Sequence, residues 1–140
     1  MEGVVLDCSM TMAWCFKEER NPRSEALRRK IEAGVKVAVP FIWTLEVINV
    51  LYLAEKRKRI VPEDTQRYVH WLYQGLPIEI DPLQNPILFQ NLLLLMRGHE
   101  LTAYDAAYAE LALRRGWPLA TLDTKLIHAA RKMKILWDEP

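Results

Sequence analysis

The chain has 140 residues, 51% hydrophobic and 26% charged, and its 19 basic and 18 acidic side chains leave a net charge of +1. That composition fits a single globular domain over residues 1–140, large enough to bury a sizeable core. It excludes a uniformly basic, histone-like nucleic-acid binder, while leaving room for a local basic patch.

Residues 3–7, GVVLD, form a short apolar run ending in an acid, the pattern of a central parallel strand. Ser9 is placed to cap a helix carrying Met10, Ala13, Trp14 and Phe16 inward. Asn21-Pro22 opens a second helix, with Asn21 as cap and Pro22 in the first turn, and Gly34 ends it. VKVAVP reads as the second strand. Pro40 stops it and leads into a long helix from about Phe41 to Arg59.

Pro62 begins another helix with Tyr68, Trp71 and Leu72 on one face, ended by Gly75. These three side chains either fill the core or clamp a partner. PIEID is the third strand, and Asn85-Pro86 starts a helix closed by Gly98. The stretch from Leu101 to Leu126 then predicts a helix over 102–115, a turn at Gly116, a strand at 118–121 and a helix at 123–132. KILW makes a last short strand. Strands separated by helices predict an α/β fold with a parallel sheet covered on both faces.

Cys8 and Cys15 lie near one face of a helix and read as buried free thiols, as in a cytoplasmic chain. No signal-peptide pattern is visible, since Glu2 and a strand pattern open the chain. The longest uncharged run, Pro82 to Met96, is too short to span a bilayer. No membrane partner is expected.

Four acids resist an ordinary surface reading. Asp7 ends the first strand and Asp123 follows the fourth, both at carboxyl ends, where open α/β sheets place ligand chemistry. Alternatively, Asp7 only caps the next helix. Glu46 stands in WTLEVINVLYLA, where it and Asn49 are the strongly polar side chains, spaced i, i+3 on one face. A carboxylate in that company needs a cation, strong donors or a partner from elsewhere in the fold. Asp105 lies within AYDAAYA, although Thr102-x-x-Asp105 also matches a capping box.

Four carboxylates in one crevice repel each other, and a hard divalent cation such as Mg²⁺ or Mn²⁺ gives them a shared purpose. Such an ion activates water and neutralises phosphate in a phosphodiester displacement. His70, His99 and His128 are scattered and form no ligand motif. No Ser-His-Asp elbow, P-loop or GxGxxG is present.

The segments VVLDCSMTMAW, VPFIWTLEVINVL and LTAYDAAYAELALRRGWPLATLDTKL, in that order and spacing, resemble PIN-domain proteins of the VapC toxin type. The resemblance implies a three-layer α/β/α sandwich with sheet order 3-2-1-4-5, which sets the first and fourth strands side by side. It further implies a Mg²⁺- or Mn²⁺-dependent endoribonuclease, a toxin acting on RNA, usually homodimeric and restrained by a VapB-type antitoxin. Carried over by position, Asp7, Glu46, Asp105 and Asp123 become the catalytic, metal-binding acids, with Ser9, Asn49 and Thr121 as polar support. Some PIN nucleases carry a further acid where this chain has Lys125. That departure puts a second metal in doubt and offers Lys125 to a substrate phosphate.

The clusters Arg28-Arg29-Lys30, Lys56-Arg57-Lys58-Arg59 and Arg114-Arg115 either flank an RNA path or are solvated helix ends. Two other functions share these features. One is a PIN-like module that binds RNA or protein without cutting, the other a small-molecule phosphoesterase.

Overall fold

The computed structural model describes residues 1–82 and 85–138. Strand β1 (Gly3–Leu6) is buried along its whole length and pairs in parallel with β2 (Lys36–Val39), Val4 opposite Val37. On its other side β1 pairs in parallel with β4 (Leu119–Ala120), Val5 opposite Leu119. Strand β3 (Ile78–Ile80) extends the sheet beyond β2, giving the order β3-β2-β1-β4.

Helices α1 (Cys8–Cys15) and α2 (Pro22–Glu32) link β1 to β2, and α3 (Phe41–Lys56) and α4 (Pro62–His70) link β2 to β3. Helices α5 (Pro86–His99) and α6 (Ala103–Arg115) link β3 to β4, and α7 (Thr124–Lys132) follows β4. The chain steps outward from β1 to β3 and then reverses across β1 to β4. Right-handed crossovers therefore put α1–α4 on one face and α5–α7 on the other. The reversal makes the carboxyl ends of β1 and β4 a topological switch point.

Local chemistry sets most helix starts as the sequence reading expects. Asn21 and Asn85 accept hydrogen bonds from the first-turn N–H groups of α2 and α5, each followed by proline. Four details differ. Ser9 lies inside α1 rather than capping it, because the helix already begins at Cys8. The KILW strand shrinks to a single bridge between Leu136 and Leu119, since β4 offers only two residues to pair with. Gly98 does not close α5. Glu100 does, in the left-handed region at φ 53, because the chain must turn there to bury Leu101. Trp14, expected to point inward, is only half-buried, packed edge-on against Trp71.

Leu72 is fully buried, while Tyr68 and Trp71 are half-buried and packed against the core. Trp43, Tyr108 and Trp137 are the largest fully buried side chains. Cys8 and Cys15 are buried and unbridged, and burial pushes the Cys15 thiol up to about 12. Among the described residues, no helix is long and apolar enough to cross a membrane.

Candidate active site

Asp7 follows β1 directly and is 5% exposed, which burial alone would make costly for a carboxylate. Two hydroxyls offset that cost. Ser9 Oγ donates to Asp7 Oδ2 at 2.7 Å, and the Thr121 hydroxyl donates to the same oxygen. Thr121 reaches it because it directly follows β4, the parallel neighbour of β1. Ser9 Oγ in turn accepts the Leu122 N–H at 2.9 Å, and Thr121 Oγ1 accepts the Asp123 N–H at 3.0 Å. The two strand ends are thus laced together around one carboxylate. Asp7 occupies the cap position of α1 without a regular side-chain cap bond, although the backbone N–H groups of Cys8 and Ser9 also favour its charged form. Burial raises its pKa, against the lowering effect of Thr121 and Ser9.

Glu46 faces this group from α3, half-buried, and accepts a hydrogen bond from the hydroxyl of Tyr108 on α6. Sequence reasoning missed Tyr108. Its only sequence cue was its place three residues after Asp105, on the same helical face. Burial raises the Glu46 pKa, the Tyr108 bond lowers it, and the charges of Asp7 and Asp105 raise it again. Asp105, in the first turn of α6, is raised by burial and by the charges of Asp123 and Asp7, and lowered by Lys125. The four acids therefore share one electrostatic neighbourhood, although they come from four different elements.

Two of the acids also serve local structure. The Asp105 N–H donates to Thr102 Oγ1 at 3.1 Å, so Thr102 caps α6 and leaves the Asp105 carboxylate to the crevice. Asp123 is the cap residue of α7 and accepts from the Lys125 N–H at 3.1 Å. Asn49 is exposed and makes no hydrogen bond to the acids. Lys125 is exposed in the first turn of α7, its charge felt at Asp105.

The donor set is all oxygen, which suits a hard cation of the Mg²⁺ or Mn²⁺ kind. Among the described residues, no three His, Cys, Asp or Glu side chains are grouped to hold an ion by themselves. The fit is to an ion that keeps much of its water shell, as Mg²⁺ does. The mutual raising of Glu46 and Asp105 by neighbouring carboxylates is the strain such an ion relieves.

A separate acid cluster lies outside this crevice. Asp81, just after β3, and Glu110 on α6 are both buried and share the guanidinium of Arg114, at 2.8 Å each. Arg115 pairs with Glu79 and Asp81. The Arg114-Arg115 pair is therefore a structural clamp rather than a free basic patch.

A parallel sheet in the order β3-β2-β1-β4, flanked by helices, defines the fold class. The chain belongs to the PIN-domain family, whose profile matches residues 4–132, and PIN domains are typically nucleases. No curated protein matches it. Among solved structures it is similar to the crystal structure of PAE2754 from Pyrobaculum aerophilum, at 21% identity and a TM-score of 0.69. That alignment covers 91% of this chain and 84% of the other, and it shows the shared fold.

Proposed function

We propose that this PIN domain is a Mg²⁺- or Mn²⁺-dependent endoribonuclease, the toxin of a type II toxin–antitoxin pair. The observation that carries the reading is the buried, doubly hydrogen-bonded Asp7, with Glu46 and Asp105 within its electrostatic reach and Asp123 within that of Asp105. Asp7, Glu46, Asp105 and Asp123 would hold the ion directly or through water. When bound, the ion polarises the phosphate and lowers the pKa of a water. Ser9 and Thr121 fix the Asp7 carboxylate, and Tyr108 fixes Glu46, so the acids need little reorganisation on binding. Lys125 stands ready to meet a substrate phosphate. Asn49 lies on the same α3 face as Glu46 and would join the site only through substrate or water.

The toxin role, a VapB-type antitoxin and a homodimer rest on the ordered motifs and their resemblance to VapC-type proteins. The surface supports a protein partner: Phe41, Leu45, Ile48 and Tyr52 make an exposed apolar stripe along α3. Sedimentation at micromolar concentration should return a dimer, and a monomer would remove that part of the reading.

The decisive assay incubates single-stranded RNA with the protein in Mg²⁺, in Mn²⁺ and in EDTA. Cleavage is expected with either metal and none after chelation. Asp105→Asn should lower the rate at least a hundredfold with an unchanged fold, since the helix cap belongs to Thr102. Full activity in EDTA would sink the metal mechanism. One observation favours a non-catalytic RNA- or protein-binding module: no three acids are grouped to hold an ion unaided among the described residues. Failure of every metal to support cleavage would favour that module.

A further inference from the structure

The basic clusters of the sequence are largely engaged with neighbours. Arg28 is held by Glu25 and Glu32, at 2.9 and 2.7 Å, and Arg59 by Glu18 and Glu19. Lys56 lies over the Tyr52 ring. The fold assembles a different group from residues scattered in the sequence. Arg97 and His99 end α5, while Lys125, His128 and Lys132 recur at i, i+3 and i+7 on one face of α7. Together they line an open cavity of about 450 Å³. Arg97, Lys125 and Lys132 make no ion pair with any described residue, and Glu100 is the one acid on the cavity wall. Lys125 belongs to both places, since it lines the cavity and its charge acts on Asp105.

We infer that this cleft between the end of α5 and the face of α7 carries the sugar–phosphate backbone of RNA whose scissile bond lies in the acid crevice. The inference rests on the nuclease reading for its substrate. It goes beyond it by placing the flanking nucleotides on one side of the molecule. Three cations without an ion pair, of which Lys125 reaches the carboxylate cluster, match a polyanion that must approach those carboxylates. The acids alone would repel it. The two imidazoles add donors to phosphate and planar faces on which a base can stack.

The test measures binding of a fluorescent single-stranded RNA by anisotropy in EDTA, so that nothing is cut, over a series of salt concentrations. The double variant Arg97→Gln/Lys132→Gln removes two cations outside the acid crevice. Each phosphate contact contributes about 0.7 to the salt slope, so the slope should become shallower by about 1.4 and affinity at 0.1 M salt fall roughly 20-fold. Arg57→Gln/Lys58→Gln, with the same charge change at the end of α3, should leave both unchanged. Circular dichroism and melting of each variant separate lost folding from lost binding, and Lys132→Gln alone gives half the slope change should the pair misfold. Equal slopes for the two double variants would overturn the inference, as would a parent that binds no RNA. A parent that binds through this cleft yet cuts nothing would leave the inference standing and remove the nuclease reading.

Discussion

At the residue scale, the Tyr108 hydroxyl favours the charged form of Glu46 against its burial. Its hydrogen bond lowers a pKa that burial and two neighbouring carboxylates raise. Tyr108→Phe removes the donor with little change of volume, so the Glu46 pKa should rise further and the acidic limb of the pH–rate profile should move to higher pH. A hydrogen bond to a charged group contributes about 1.5–3 kcal/mol, so activity on that limb should fall roughly tenfold or more. The alkaline plateau should change far less. A profile that overlays the parent's would mean Glu46 takes no part in the rate. The acids themselves were legible because each interrupts an apolar run. Of the donors that hold them, Ser9 and Thr121 came only with the family resemblance and Tyr108 was missed, since Thr121 meets Asp7 across a separation of 114 residues and Tyr108 meets Glu46 across 62. Spacing on one helix cannot report such contacts.

At the element scale, α6 serves two ends. Its first turns give Asp105 and Tyr108 to the crevice, and its last turns give Glu110 and Arg114 to the end of β3. Arg114→Met would strip Glu110 of its cation and loosen the hold on Asp81. Removing one partner of a buried pair costs about 3 kcal/mol, which urea unfolding would read as a lower midpoint with an unchanged slope. RNA cleavage below the melting transition should persist, because the clamp lies away from the acids. Loss of activity without loss of stability would assign Arg114 to the site instead.

PIEID and GVVLD look alike in sequence, each an apolar run ending in an acid. Position in the sheet separates them. β3 is two strands away from the switch point, so Asp81 finds an arginine, while Asp7 finds the other acids. Helices and strands were readable from caps, prolines and periodicity. Their ends were less so, as α5 shows by running through Gly98 to turn at Glu100. Tertiary burial of Leu101 decided that turn, against the local preference for glycine.

At the scale of the whole molecule, the acid cluster links stability to pH and, on the proposed function, to metal. The folded pKa values of Asp7, Glu46 and Asp105 are raised, so between the ordinary carboxylate range and those raised values the folded state binds more protons than the unfolded. Stability therefore falls as pH rises through that window and recovers as pH descends toward the ordinary range. In EDTA the parent should melt higher just above the ordinary carboxylate range than at pH 7.5, and Asp105→Asn should melt higher than the parent at pH 7.5. A cation at ten times its dissociation constant that binds only the folded state adds about 1.4 kcal/mol. That corresponds to a rise of about 3–6 °C, and the rise should shrink in the variant. A parent indifferent to metal, with a variant that melts lower in EDTA, would make the acids structural partners rather than a shared site.

The pairing of β1 with β4 also has a bearing on biosynthesis. The hydroxyl of Thr121 that steadies Asp7 is synthesised 114 residues after it. At cellular elongation rates that interval is on the order of ten seconds. Throughout it the growing polypeptide owns Asp7 and then Glu46, but not the strand that brings Thr121 and Asp123 beside them. For the proposed ribonuclease, the set of acids stays incomplete on the nascent chain until Asp123 has been added.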